Sequence, residues 1–379
     1  MKKNARVAII GAGIIGASIA YHLAQKGEFD VVVLDMGRAG SGSTSAALGG
    51  FRHQFSSELS IRMSLESIAF LEKFKELTSY DPLIRKDGYS FLAESENSLE
   101  QLRKNVELQK SLGVKVALLS GEELQELCPF YHFEKILGGT LCIEDGHAST
   151  FAVLQGFVSV AKDSGVEFRE RSRVIRIELK ENGFTLATPD STLDCEKLVI
   201  AAGAYSGQVG NLVGVDLPVL PVPRRVLVTN SFSELPPEFP ILIDIDSTLA
   251  IGREGRGIVI GDNLESKPGF EMRFPQNYDE LLLQKAVERI PALGRASIAY
   301  ANQGLYEVTP DSNPIISSVP DVEGLFCCAG FSGHGFMHSP AAGKIMAEMV
   351  LGEKPHLDVS NKDVRRFANL PKETERLII

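Results

Sequence analysis

The segment Val7-Ala8-Ile9-Ile10-Gly11-Ala12-Gly13-Ile14-Ile15-Gly16, with Asp35 nineteen residues beyond Gly16, constrains the fold more than any other part of the chain. An apolar strand runs into a glycine turn and then a helix opened by Ile14 and Ile15, and a second apolar strand, Val31 to Leu34, ends on a carboxylate followed by Met36. Gly11 lets the backbone turn sharply, Gly13 leaves room for a pyrophosphate to approach the main chain, and Gly16 lets the helix lie close against the strand. The free N–H groups of the helix end and the positive end of its dipole bind the anion without a basic side chain. Asp35 can accept hydrogen bonds from a ribose diol. The pattern implies a dinucleotide site.

At 379 residues the chain exceeds a typical single core, so two intimately joined domains are expected. Hydrophobic residues make up 44% and charged residues 23%, which supports a sizeable core rather than extended disorder. A net charge of -10 argues against nucleic acid as a partner. Cys128, Cys142, Cys195, Cys327 and Cys328 form no CxxC pair and no Cys/His ligand spacing, so buried inert thiols in a reducing, cytoplasmic setting are expected, with no metal site. Nor do His22, His53, His132, His147, His338 and His356 show ligand spacing. Lys2 and Lys3 precede an apolar stretch as in a signal peptide, but the glycines and the continuing helix fit a nucleotide fold, and no cleavage pattern follows. No apolar run reaches about 18 residues, so no transmembrane segment is expected.

Beyond Asp35 the run Gly40-Ser41-Gly42-Ser43-Thr44-Ser45-Ala46-Ala47 carries little bulk and many donors, and beside a nucleotide turn it can wrap a phosphate or lie under a flat ring. Periodicity predicts helices over 58–77 and 99–112, one from Ser120 with a capping box to Glu123, and one from Ser149 or Thr150 to about Asp163. Strands are expected over 138–145, 166–169 and 173–179, with a hairpin around Asn182-Gly183 and, over 197–204, a strand apolar on both faces running into a turn. From 217 to 306 short alternating stretches rich in proline read as a largely antiparallel domain, interrupted by a helix over 278–289. The nucleotide-type pattern then returns, with a strand at 325–329, a glycine turn, and a helix from Ser339 and Pro340 to Leu351 ended by Gly352.

That later turn, Gly330-Phe331-Ser332-Gly333-His334-Gly335-Phe336, again presents backbone N–H groups at a helix start. A reduced flavin carries negative charge at its N1/O2 edge, so two such turns fit one long cofactor, pyrophosphate at one and flavin ring at the other. Here the chain resembles the D-amino-acid oxidase and glycine oxidase superfamily of FAD-dependent oxidoreductases. The branch it looks most like contains monomeric sarcosine oxidase, the sarcosine oxidase beta subunit, dimethylglycine dehydrogenase and the L-proline dehydrogenase beta subunit. The likeness lies in the N-terminal motif with Asp35, the 40–46 loop, Arg52-His53-Gln54-Phe55, Ala201-Ala202-Gly203-Ala204, Gly304-Leu305-Tyr306-Glu307 with Thr309-Pro310-Asp311, and the 330–336 turn. It spans residues 7 to about 350 and is specific for the branch but not for a substrate.

The resemblance implies an α/β chain, α+β overall: a discontinuous Rossmann-like FAD-binding domain (1–80, 145–216 and 307–379) and a largely antiparallel substrate-binding domain (81–144 and 217–306). It implies that Gly11, Gly13, Ile14, Ile15, Gly16, Asp35 and Met36 hold the ADP half, with Val174 at the adenine and Ser43, Thr44, Ser45, Ala202 and Gly203 along the cofactor. Gly304, Gly333, His334, Gly335, Phe336 and Met337 would contact the flavin. Arg52 would clamp a substrate carboxylate, a task suited to a guanidinium's paired donors, with Tyr306 and His334 beside the substrate. Where monomeric sarcosine oxidases attach FAD through a cysteine this chain has Gly304, so non-covalent FAD is expected. Met337 replaces a lysine that helps hold the carboxylate, which favours a dehydrogenase or a multi-subunit enzyme with a second subunit or separate electron acceptor. With the sequence running to residue 379, the folate-binding extension of the long dimethylglycine and sarcosine dehydrogenases is not expected. The expected reaction is oxidation of a small amino acid, a secondary amine such as sarcosine, proline or an N-methyl amino acid, to an imine. Glycine or D-amino-acid oxidation, and a non-catalytic role in assembly or electron relay, remain the alternatives.

Overall fold

Burial on both faces decides the centre of the molecule: every residue of Val31–Leu34 and of Leu325–Ala329 is buried, as are Val7 to Ile10. Such strands suit the middle of a parallel sheet covered on both sides. In the computed structural model, which describes residues 2–263, 266–368, 374, 375 and 377, they lie in the order Ile315–Ser318, Leu325–Ala329, Thr192–Ile200, Asn4–Ile10, Val31–Leu34, Glu167–Arg169. All neighbours are parallel except Ile315–Ser318, which closes one edge antiparallel. The hairpin Arg176–Lys180 and Gly183–Ala187 adds to the outer part of Thr192–Ile200. Ile14–Gln25, Glu58–Glu72, Thr150–Asp163 and Gly335–Leu351 pack over the sheet. Residue 1, residues 264 and 265 of the expected substrate domain, and residues 369–373, 376, 378 and 379 of the expected cofactor domain lie outside the described residues.

A second sheet runs Ile298–Val308, Leu220–Thr229, Gly257–Gly261, Ala250–Glu254, Ile241–Asp244, Tyr89–Ala93, Gly138–Leu141, Ala117–Ser120. It is antiparallel but for one join, Ile241–Asp244 beside Tyr89–Ala93, where the chain's earlier strands meet its later ones. Its own core gathers Phe232, Phe239, Leu242, Ile260, Leu282 and Leu293. No helix among the described residues is long and apolar enough to cross a membrane.

The structure departs from several expected boundaries. The helix expected over 58–77 is two, Glu58–Glu72 and Phe74–Thr78. At Lys73 the N–H bonds Phe70 O three residues back, 3.1 Å away, and the break turns Phe74 fully inside, edge-on to Phe157. The last helix starts at Gly335 rather than Ser339, with Pro340 inside it. Proline cannot donate to the carbonyl four residues earlier, and here the Ser339 hydroxyl donates to that carbonyl, Phe336 O, at 2.8 Å. Gly352 ends the helix in the left-handed region, φ 79°. The strand expected over 138–145 stops at Leu141, and Gly146–His147 pairs instead with Gly50–Phe51. That small pairing positions the residues that follow Phe51.

Candidate active site

A cavity of about 790 Å³ opens between the ends of the parallel strands and the second sheet. At one end the glycine motif packs tightly: a Cβ on Gly11, whose φ is +111°, would lie 2.2 Å from Ala201 O, and one on Gly16 would lie 1.9 Å from Gly11 O. Gly13 differs. The nearest atom to its missing Cβ is Thr44 Oγ1 at 3.3 Å, and the residue faces the cavity at the start of Ile14–Gln25. Asp35 accepts from Ala12 N and Gly37 N, each at 2.7 Å and on different oxygens, leaving a lone pair on each oxygen for a ribose hydroxyl. Ile14, Ile15, Met36, Val174, Ala202 and Gly203 line the same end. This donor set fits the ADP half of a dinucleotide.

The small-residue loop forms the middle of the wall. Thr44 Oγ1 accepts from Ile14 N at 3.0 Å and ties the loop to the helix start, while the Ser43 hydroxyl donates to Leu305 O at 2.6 Å and ties it to the second sheet. The Ser45 hydroxyl turns back onto Gly42 O, 2.8 Å away. Gly304 faces Ala46 so closely that a Cβ there would lie 2.7 Å from the Ala46 Cβ. At the far end the Tyr306 ring lies on Gly333, where a Cβ would meet it at 2.5 Å. His334 precedes the helix whose first turn supplies Gly335, Phe336 and Met337, and all of them line the cavity.

Arg52 is 2% exposed, its guanidinium stacked 4.1 Å from the Phe55 ring centroid and 5.1 Å from that of Phe91. Nη1 donates to Gln54 O, and Nη2 donates to Leu377 O and lies 3.1 Å from His334 Nε2. Burial, with the Arg52 charge next, holds the His334 pKa well below the usual histidine range, so the ring is neutral and accepts from Arg52. The segment behind Arg52 is fixed by Asp145, which accepts from His53 N at 2.8 Å, His53 Nδ1 at 2.7 Å and Gln54 Nε2 at 3.0 Å. Gln54 Nε2 also donates to Tyr89 O, and Gln54 Oε1 accepts from the Thr140 hydroxyl. His53, Cys142 and Asp145 do place possible metal ligands within 4.8 Å of one another. The hydrogen bonds from His53 and Gln54 already occupy the carboxylate, so the group works as a buttress for residues 52–54.

The structure therefore brings Arg52, Tyr306 and His334 to one end of the cavity and the N-terminal motif to the other. Sequence reasoning missed Arg224, Glu307, Glu375 and Leu377. Arg224 reaches in from Leu220–Thr229, 5.3 Å from the Tyr306 ring centroid, and donates to Asn263 Oδ1 at 2.5 Å and Ser266 Oγ at 3.2 Å. Glu307 follows Tyr306 on its strand and accepts from Gly330 N at 3.0 Å. Strand alternation beside Tyr306 was the available signal for Glu307; nothing local marked the others.

The family model described as "DAO: FAD dependent oxidoreductase" matches residues 6–349. The chain belongs to this DAO family. Its cofactor is accordingly FAD. Dimethylglycine dehydrogenase of Homo sapiens is 26% identical over 97% of this chain, which covers 45% of that protein, so the chain spans about half the length of the curated relatives it matches first. Glycine oxidase of Geobacillus kaustophilus is 28% identical, with 93% of this chain and 95% of that one covered. Among solved structures, L-proline dehydrogenase from P. horikoshii superposes with a TM-score of 0.90 at 27% identity, covering 97% of this chain and 99% of the other. All five cysteines of this DAO-family chain are free and buried.

Proposed function

We propose that this DAO-family member oxidises the carbon beside the nitrogen of a small amino acid, by preference a secondary amine such as sarcosine, proline or an N-methyl amino acid, to the imine. The reading rests on Arg52: a buried guanidinium at the Tyr306–His334 end of the cavity, walled by Phe55 and Phe91, is a receptor for one small carboxylate. Relatives named for dimethylglycine, proline and 4-methylaminobutanoate favour an alkylated or cyclic nitrogen. FAD, when bound, supplies the acceptor for a hydride equivalent from that carbon.

The protein's own groups bind and orient. Arg52 takes the carboxylate; neutral His334 holds the guanidinium in its plane. Burial raises the Tyr306 pKa against the opposing charges of Arg224 and Arg52, so its phenol stays protonated beside the substrate. An ammonium has no lone pair to drive the reaction, so the site must receive the free amine, and orientation carries much of the rate. We assign Gly11, Gly13, Gly16 and Asp35 to the ADP half and Gly333 to Met337 to the ring, and take 81–144 with 217–306 as the substrate domain. We take FAD to be held without a covalent bond, since Gly304 offers no nucleophile and its missing Cβ would lie only 2.7 Å from the Ala46 Cβ. Met337 brings no charge to the ring end, which favours a dehydrogenase passing electrons to a separate acceptor or subunit.

Anaerobic mixing with sarcosine, dimethylglycine, L-proline, glycine and D-alanine tests the proposal. Bleaching of the flavin by the alkylated or cyclic amines is expected, and Arg52→Ala should lower kcat/KM by roughly 100-fold or more, as loss of a buried charge pair does. Bleaching by glycine or D-alanine alone would replace this reading with primary-amine oxidation, and bleaching by none would refute catalysis.

A further inference from the structure

The donors of Arg52 are already committed to the protein itself. A carboxylate can engage a guanidinium through two parallel bonds either end-on, by Nη1 and Nη2, or side-on, by Nε and Nη2. Both modes need an Nη2 hydrogen. Nη2 has two, and they are directed at His334 Nε2, 3.1 Å away, and at the carbonyl of Leu377. His334 is fixed in the turn that opens Gly335–Leu351, with its N–H on Phe331 O at 2.9 Å. Leu377 arrives from the far end of the chain.

The docking of that end is specific. The Leu377 side chain is 3% exposed and packs with Tyr89, Phe91, Ile241 and Ile243 on the second sheet. Glu375 is 2% exposed; its carboxylate accepts from Ser56 Oγ at 2.8 Å, Ser56 N at 3.2 Å and Leu377 N at 3.1 Å, and its own N–H donates to Asp311 O at 3.1 Å. Asp311 is held in turn by Arg366, at 2.7 and 3.1 Å. A buried carboxylate and a carbonyl thus stand near and on the guanidinium, which is the charge and acceptor pattern of the ligand assigned to it above. Ser56 is four residues from Arg52, so the segment and the clamp share one anchor.

We propose that the segment carrying Glu375 and Leu377 is an internal ligand of Arg52, with the Leu377 carbonyl in the place of one substrate carboxylate oxygen, and that carboxylate binding requires the segment to release. The inference rests on Arg52 being the carboxylate clamp. Release exchanges one acceptor for another on Nη2 and one buried negative charge for another, so the guanidinium is never left uncompensated. It also ties substrate entry to a movement outside the cavity walls.

Acetate, which has no amine to oxidise, is the probe. Its dissociation constant is measured on the full-length FAD-loaded protein by perturbation of the flavin spectrum, and hydrogen exchange at the Leu377 amide is followed with and without acetate. Ser56→Ala with Glu375→Gln should tighten acetate about tenfold, the effect of losing a hydrogen bond to a charged group from the competing state. Ser56→Ala alone, the milder change, should tighten it less, and saturating acetate should speed exchange at Leu377. Unchanged or weaker acetate binding in both variants, or unaltered Leu377 exchange at saturation, overturns the proposal. Arg52→Lys separates the two levels: if it leaves acetate affinity unchanged the clamp reading itself fails, whereas loss of affinity there with no response from the segment refutes the segment alone.

Discussion

Glu307 follows Tyr306 on Ile298–Val308, and the alternation of a strand turns the two side chains to opposite faces. Its carboxyl approaches Gly330 N and stands 3.6 Å from where a Gly335 Cβ would be, beside the start of the last helix. Burial pushes its pKa up to about 7 against the N–H groups of Gly330 and Phe331, which pull it down. The folded chain therefore holds a proton that the unfolded chain releases near pH 4.5, so this group's contribution to stability is full below 4.5, falls as pH rises towards 7, and is flat above. The loss is on the order of 3 kcal/mol, less where the open cavity admits water. His22 and His338 act in the opposite sense: burial lowers both to about 3, so their contribution grows as pH rises from 3 to 6.5. A difference measurement isolates Glu307. In denaturant titrations Glu307→Gln should gain stability relative to the parent between pH 5 and 7 and keep that gain above 7; a pH-independent difference would show the carboxyl to be ionised throughout. Arg52 was legible as a candidate through the resemblance carried by Arg52-His53-Gln54-Phe55, supported by the fit of a guanidinium's paired donors to a carboxylate. Its saturation by Leu377 O was not legible, because a contact across 325 residues leaves no local pattern.

At the scale of elements, what a glycine does decides what its loss should do. Gly16 and Gly13 belong to one motif, yet a Cβ on Gly16 would meet backbone at 1.9 Å whereas one on Gly13 would meet a hydroxyl at 3.3 Å and otherwise face the cavity. Gly16→Ala should thus destabilise the apoprotein by roughly 3 kcal/mol or more, because helix and strand must separate. Gly13→Ala should leave the apoprotein within about 1 kcal/mol of the parent and weaken FAD binding by roughly tenfold or more. Equal losses of apoprotein stability would mean that both glycines serve packing alone. The motif was readable because its chemistry is local, a strand, a turn and a helix within ten residues. The last helix was misjudged at its start for a related reason. Pro340 marks a helix start only when its missing donor is not needed, and the compensating bond from the Ser339 hydroxyl shows only once the turn is built. The helix break at Lys73 likewise answers to Phe157, a residue 84 positions away.

The whole molecule places one cavity between two sheets with separate cores. Leu34, Ala201 and Cys328 reach the cavity from the parallel sheet; Tyr89, Ile251 and Val259 reach it from the other. The loop over 40–50 touches both, through Thr44 to the first helix and Ser43 to Leu305. A dinucleotide lying along this cavity would contact both layers at once, so its binding energy adds to their coupling as well as to stability. At free FAD a hundred times its dissociation constant the folded state gains about 2.7 kcal/mol, a rise of several degrees in Tm. The shape of the transition is the more discriminating observable. With Phe232, Phe239, Leu242 and Leu282 forming a core apart from that of Val7, Ile9, Val33 and Val199, the apoprotein should unfold in calorimetry as two overlapping steps. Adding FAD should raise the lower step more than the upper and merge them into one. If FAD raised the upper step alone and left the lower one where it was, or if the apoprotein unfolded in a single step at the temperature of the holoprotein, the cofactor would not bridge the sheets, and the assignment of the ring to the Tyr306–His334 end would have to be abandoned.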